Sequence, residues 1–215
     1  MRIRRLAPIA LLLISPLPAA AGSRPSLPLT VRVYDMTGDV HADRRSALAA
    51  AAAALAQVHV EIRWLDGNAD TGEVPASQDL VLRLVRQQAI SGRPGTTALG
   101  YAFVDAHGRQ GTLATIFLDR VEQIARIAGT SADRLTGLAV AHEIGHLLLG
   151  SDHSKRGLMR ARWTVDELRA GRAHDWRLDA RDGNRLRTGL TARLGTRASA
   201  AAEMSTVTGE PAVLD

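Results

Sequence analysis

The sequence predicts an α+β protein in which a mixed β-sheet of four to five strands packs on helices. Segments with alternating apolar and polar residues, the pattern of half-buried strands, recur through residues 29–118. Helical periodicity occupies separate segments, one between the first two strands and several after the last strand. The length of 215 residues fits one domain with appendages, and a hydrophobic content of 46% is enough for its core.

The individual elements follow from local patterns taken in chain order. The first two strands alternate apolar and polar residues, the third has a buried character, and the last two flank a turn at His107–Gly108. Glycine and proline mark loops at 66–77 and 91–97. The predicted strands are 29–35, 58–65, 79–85, 99–105 and 112–118, and the predicted helices are 43–58, 121–128, one that begins after Ser131, 164–169 and one within 178–194.

The segment 141–154 contains the candidate site. His142 and His146 lie four residues apart on a predicted helix, so both imidazoles project from one face and can bind one ion. A zinc ion with three protein ligands keeps an open position, where Glu143 could take a proton from the bound water. The pattern H-E-x-x-H on a helix is typical of zinc metalloproteases.

The helix that carries this pattern has signals at both ends. Ser131 lies where an N-cap is expected, and Gly150 directly follows the apolar run and suits a C-terminal stop in the left-handed conformation. A buried helix can also contain two packed histidines that bind no metal. The i, i+4 spacing with the intervening glutamate favours the metal site over that alternative.

The segment from His142 to Met159 resembles the metzincin clan of zinc peptidases, whose pattern is H-E-x-x-H-x-x-G-x-x-H followed by a methionine turn. The pair His153–Ser154 is similar to the third histidine and following serine of matrixin-type members. The resemblance implies that His153 is the third zinc ligand and that Met159, with the two residues before it, forms the methionine turn.

The spacing departs from the clan pattern by one residue. Gly150 lies four residues after His146 instead of three, whereas its offset of three residues to His153 is kept. One added helical residue rotates the exit of the chain by about 100°, and the loop after the helix must absorb that rotation.

The insertion leaves alternatives for the third ligand. Asp152 lies at the usual count from His142, and a carboxylate can also bind zinc. Glu167 is the further alternative, because a gluzincin-type site takes its third ligand from a second helix downstream. Met159 can equally be an ordinary core methionine, since methionine commonly fills gaps.

The predicted order of strands and helices over residues 29–160 is close to the upper lobe of metzincins. In that family the substrate lies along an edge strand above the metal, which the resemblance places within 99–118. Astacin-type metzincins have a tyrosine beyond the methionine turn. Here Tyr34 and Tyr101 both precede it, so that group is not expected.

The first 21 residues have the features of a secretory signal peptide. A basic start at 1–5 is followed by an apolar stretch at 6–17 and small residues at 18–22. An uncleaved membrane anchor is the alternative. The expected organisation is a signal peptide at 1–21, a metallopeptidase domain at 29–192 and a disordered tail at 195–215, with the protein secreted or periplasmic in the cell envelope.

Charge and cysteine content limit the partners. Arginines 2, 4 and 5 account for three of the five net positive charges, so removal of the leader leaves +2. The remaining arginines are mixed with acidic residues, which argues against a nucleic-acid partner. No stable membrane insertion is expected after signal cleavage, and the oligomeric state is open. The chain has no cysteine, so neither a disulfide nor a thiol ligand is available.

The sequence therefore favours a secreted zinc metalloendopeptidase that acts on a peptide or protein substrate, with Zn²⁺ as cofactor. His142, His146 and His153 are the expected ligands and Glu143 the general base. The alternative is an exported, catalytically inactive binding module that keeps a structural metal. A zinc hydrolase that does not act on peptides is a weaker third interpretation.

Overall fold

The computed structural model describes residues 24–39, 44–69, 79–86, 98–105 and 110–207, with the side chains of residue 173 and of 197–207 left out. The predicted signal peptide, the loop at 91–97, most of the loop at 66–77 and the turn at His107–Gly108 lie outside these residues. All of the candidate ligands, the candidate general base and the candidate methionine turn lie within them.

A mixed five-stranded sheet forms the centre of the fold, which confirms the α+β class and the expected strand number. The strand order is β2-β1-β3-β5-β4. The first four of these strands run parallel to one another, and β4 pairs antiparallel with β5. The strands are β1 (Leu27–Asp35), β2 (Val60–Asp66), β3 (Leu80–Val85), β4 (Gly100–Val104) and β5 (Gly111–Phe117).

Five α-helices accompany the sheet in the described part of the chain. They are α1 (Arg45–Ala56), α2 (Leu118–Ala128), α3 (Ala132–Leu149), α4 (Val165–Ala170) and α5 (Ala180–Val207), with a short 3₁₀ helix at Ala173–Trp176 before α5. Apart from the end of the last helix, which lies beyond the predicted 178–194, the predicted bounds are correct to within a few residues. One exception is His59, which the alternation places in a strand but which lies in the turn before β2, with a φ of 58°.

Helix α3 forms the middle of the core. It packs against α1 on one side and against β4 and β5 on another. A Cβ on Gly137 would lie only 2.5 Å from the carbonyl oxygen of Ala47 and from the Cβ of Ala50. The alanines of α1 and Gly137 of α3 are small enough to let the two helix backbones approach closely. The candidate site is therefore on a helix fixed on several sides.

Helix α5 extends into the segment 195–215 that the sequence predicts to be a disordered tail. This helix continues past residue 195, where disorder was expected to begin, and ends at Val207. The segment 197–204 contains alanine, arginine, glutamate and methionine, all strong helix formers, and it extends a helix that packing has already nucleated. Residues 208–215 lie outside the described part.

Strand β4 is an edge strand, so the segment 99–118 does contain a sheet edge, as expected. The amide of Phe117 donates to the carbonyl of Leu99, which places the odd-numbered residues of β4 in hydrogen-bonded pairs with β5. The backbone groups of Gly100 and Ala102 consequently point away from β5, toward the outer edge.

Among the described helices, none has the length and apolar character to cross a membrane.

Candidate metal centre

The structure brings His142, His146 and His153 together. Each offers one ring nitrogen, and these three atoms lie within 4.8 Å of one another. The ring centroid of His153 lies 5.6 Å from that of His142 and 4.7 Å from that of His146. Two neighbouring turns of α3 and the loop after it therefore converge on one point.

Backbone carbonyls fix the orientation of the two helical histidines. Nδ1 of His142 lies 2.8 Å from the carbonyl oxygen of Leu158, and Nδ1 of His146 lies 2.8 Å from that of Gly150. A carbonyl can only accept, so each Nδ1 must carry the proton and donate. Each Nε2 then keeps a lone pair, and this is the tautomer that a metal-binding imidazole needs.

The two Nε2 atoms face each other at 3.1 Å. Because both are acceptors in this tautomer, their contact is repulsive unless a cation lies between them. Two nitrogens bound to one tetrahedral zinc ion at about 2.0–2.1 Å would be about 3.3 Å apart. The spacing and the donor type of this pair therefore fit a zinc ion.

Burial keeps both helical imidazoles neutral. Desolvation, followed by the neighbouring His146, lowers the pKa of His142 to about 4. Burial likewise lowers the pKa of His146. Since only the neutral ring can bind a metal, both histidines are competent ligands near neutral pH without prior loss of a proton.

The loop after α3 begins at Gly150. Helix α3 ends at Leu149, and Gly150 takes a φ of 97° and a ψ of −173°. This is a positive-φ, extended conformation open to glycine, and it differs from the left-handed stop that the sequence favoured. The chain turns sharply at this point and returns His153 to the face of the helix that carries the other two histidines.

Helix α5 anchors the loop that carries His153. The hydroxyl of Ser154 donates to the carboxylate of Asp182, which is only 2% exposed. The amide of Ser154 donates to the carbonyl of Met159. The third histidine is therefore followed by a residue held at both its backbone and its side chain.

The other two candidate ligands do not join the histidine cluster. Asp152 is exposed and lies outside the group of close donor atoms, as does Glu167. Glu167 instead completes the predicted capping box with Thr164 and pairs with Arg160. The backbone hydrogen bond to Thr164 is the main cause that lowers the pKa of Glu167, so this carboxylate is already committed to the start of α4.

Met159 packs against α3 at Gly145, between the two helical histidines. It is 1% exposed, and a Cβ added to Gly145, on the turn between the helical histidines, would overlap its sulfur. The side chain thus packs against the backbone of α3 where glycine leaves space for it. A methionine turn and an ordinary core methionine both predict such burial.

Glu143 follows His142 on α3 and lies next to the edge strand β4. It is 7% exposed, and burial raises the pKa of its carboxyl to about 8. A Cβ on Gly100 of β4 would lie 3.1 Å from Cγ of Glu143 and 2.6 Å from the carbonyl oxygen of Thr115. A cation at the histidines would favour the charged carboxylate, because opposite charges lower a carboxyl pKa.

Two acceptors, one for His142 and one for Ser154 next to His153, were not predicted from the sequence as hydrogen-bond partners. The Leu158 carbonyl and the carboxylate of Asp182 gave no signal, since a backbone acceptor has no sequence signature and Asp182 lies 28 residues from its partner. His174 lies in the short 3₁₀ helix before α5, has a side chain that is 70% exposed, and lies outside the cluster.

Replacement of Gly157 by alanine is expected to weaken both the fold and the metal site. Gly157 has a φ of +75°, and a Cβ there would overlap the carbonyl oxygen of Arg177. The turn would have to shift, and it carries the Leu158 carbonyl that orients His142. We expect a loss of about 1–3 kcal/mol in the free energy of unfolding and a drop of about 10–100-fold in zinc affinity.

Gly129 provides the matched control for this substitution. Its φ of +65° imposes the same backbone strain on alanine, but no atom lies within 4 Å of the added Cβ, and it caps α2 away from the histidines. Gly129→Ala should lower the unfolding temperature and leave the zinc affinity unchanged. Equal zinc affinities for Gly157→Ala and the wild type, measured by competition with a chelator, would contradict the role assigned to this turn.

Comparison with models of known protein families gives no match for this chain, and comparison with curated proteins gives none either.

Proposed function

We propose that this protein is a zinc-dependent metalloendopeptidase with a metzincin-like site. The observation that carries the proposal is the convergence of His142, His146 and His153 on one point, with Glu143 buried beside them. The orientation of the helical imidazoles and the position of Met159 under Gly145 support it. The features of residues 1–21 support export to the cell envelope or the exterior.

A zinc ion bound by the three histidines would polarise the scissile carbonyl and make its water acidic. Glu143 then acts as the general base: its carboxylate accepts a proton from the attacking water and passes it to the nitrogen of the leaving amine. Glu143 is buried, so the carboxylate that holds the proton between its two transfers has little contact with bulk water.

The edge of the sheet offers a docking position for an extended substrate. Gly100 and Ala102 point their backbone groups outward from β4, and Gly100 lies next to Glu143. A peptide that adds to this edge as a further strand would pass the general base and the histidine cluster. The substrate is accordingly a peptide or an unfolded protein segment, which can adopt an extended conformation.

Digestion of an unfolded protein with and without a chelator tests the proposal. We expect cleavage by the zinc-loaded protein, complete loss after treatment with 1,10-phenanthroline, and recovery when zinc is added back. The chelator acts by removing the ion that the three neutral histidines bind. Mass spectrometry of the fragments would show internal cleavage sites.

Absence of any cleavage by protein shown to contain one zinc ion would exclude a peptidase and favour an exported binding module with a structural metal. Cleavage that persists in the metal-free protein would reject the proposed mechanism. Cleavage without metal would mean that neither Glu143 nor the three histidines has the catalytic role proposed here.

A further inference from the structure

Two tryptophans and an arginine form a stack that ends on the first zinc-binding histidine. The ring of Trp163 lies edge-to-face against that of His142, with centroids 5.4 Å apart. Trp176 meets Trp163 in the same way at 5.3 Å, and the guanidinium of Arg160 lies 5.8 Å from the Trp176 ring. Trp163 is half-buried, and Trp176 is 4% exposed.

Packing, not hydrogen bonding, holds these rings. The indole N–H groups of Trp163 and Trp176 are both buried, and neither has a hydrogen-bond partner in the part of the chain that the structure describes. Buried indoles ordinarily find a partner for this group. Their positions are therefore set by the ring contacts, which makes His142 one of the surfaces that the stack packs against.

The far end of the stack is fixed to two other elements. Arg160 donates to the carbonyl of Gly157 and pairs with Glu167. Glu167 in turn closes the capping box with Thr164, the residue after Trp163. Arg160 therefore contacts two segments at once. One is the turn that contains the Leu158 carbonyl, and the other is the start of α4.

His142 and His146 differ in how they are held. Each donates through Nδ1 to a backbone carbonyl. His142 has in addition the Trp163 ring against its own, whereas the rings that contact His146 are the other two histidines. The carbonyl of Gly150 belongs to the C-cap of α3 itself, but that of Leu158 comes from a loop 16 residues away.

We infer that Trp163, backed by Trp176, is a positioning residue that fixes the ring orientation and tautomer of His142. This inference rests on the proposed metal site and goes beyond it. The indole limits rotation of the imidazole about its Cβ–Cγ bond, so that Nδ1 stays on the Leu158 carbonyl and Nε2 stays directed at the other two histidines. Without the indole, the Leu158 carbonyl on a separate loop and the other two histidine rings remain against the imidazole, and only the carbonyl can accept its Nδ1 proton among these contacts.

The first test is made on the metal-free protein and does not depend on catalysis. Long-range ¹H–¹⁵N NMR spectra report the tautomer of each histidine ring. In the wild type we expect one Nδ1-protonated form for both His142 and His146. In Trp163→Ala, His142 should show a mixture of tautomers or exchange broadening, while His146 keeps its wild-type signals.

The second test measures zinc affinity by chelator competition. Trp163→Ala should bind zinc about 10–100-fold more weakly, as other changes to groups that orient metal-bound histidines do. Trp163→Phe should recover most of the affinity, because its ring can still pack edge-to-face on the imidazole. Trp64→Ala, in β2 at the opposite edge of the sheet from β4, removes the same side chain away from the site and should retain the wild-type affinity.

If Trp163→Ala does not fold, Trp163→Leu fills part of the volume without an aromatic ring and replaces it in both tests. Wild-type NMR signals for His142 in the folded Ala or Leu variant would overturn the inference. Equal losses of zinc affinity in Trp163→Phe and Trp163→Ala would also overturn it. Neither result would contradict the peptidase proposal, which is tested by cleavage. If the wild-type protein binds zinc and gives the expected single His142 tautomer but cleaves no peptide, the peptidase proposal fails and the inference about Trp163 stands.

Discussion

Glu143→Gln is expected to lower the rate of peptide-bond hydrolysis by about 10²–10⁴-fold, the range found when a general base is lost. The glutamine amide has nearly the same shape as the carboxylate but cannot accept a proton from water. Zinc affinity should remain close to the wild-type value, since all three histidines are kept. The measurement is kcat/KM on a fluorogenic peptide, together with the zinc content of the purified variant.

Glu61→Gln is the matched control for this substitution. Glu61 is an exposed glutamate on β2, at the opposite edge of the sheet from β4, so the same chemical change there should not alter the rate. Retention of wild-type cleavage by zinc-loaded Glu143→Gln would remove the general base from the mechanism. A parallel loss of zinc would instead show that Glu143 is needed to hold the metal.

The strands and helices were predictable because their patterns are local. Period-two alternation identified β1 and β2, and the Ser131 and Gly150 signals placed both ends of α3 correctly. The order of strands in the sheet was not predictable in this way. Which strands pair depends on contacts between segments far apart in the chain, and these leave no periodic signal in a single sequence.

The length of α5 could not be predicted from composition. The composition of residues 195–207 is rich in alanine and serine, which is compatible with disorder and also with a helix. What decides between them is whether an adjoining segment has already formed helical turns. Leu186 and Leu190 of α5 are completely buried, and the helix that they anchor extends into the tail.

The candidate site was predictable where ligands follow a helical spacing and less so where they do not. His142 and His146 are fixed relative to each other by the helix itself. The place of His153 depends on the conformation of Gly150 and on the anchor between Ser154 and Asp182, which lies 28 residues further along the chain. The spacing from His146 to Gly150 and His153 could therefore be counted in the sequence, but the geometry of the loop could not be derived from it.

His153→Ala is expected to reduce zinc affinity by more than about 100-fold, because changes to groups that merely orient ligands already cost 10–100-fold. Asp152→Ala and Glu167→Gln should each change it by less than about 3-fold, since neither carboxylate joins the donor cluster. His174→Ala removes an exposed imidazole and controls for non-specific binding by histidine. The comparison decides the third ligand. If Asp152→Ala lost more affinity than His153→Ala, the aspartate would be the ligand and the loop after Gly150 would have to rearrange when zinc binds. A similar, large loss for Glu167→Gln would mean that the capping box opens to supply a carboxylate from α4.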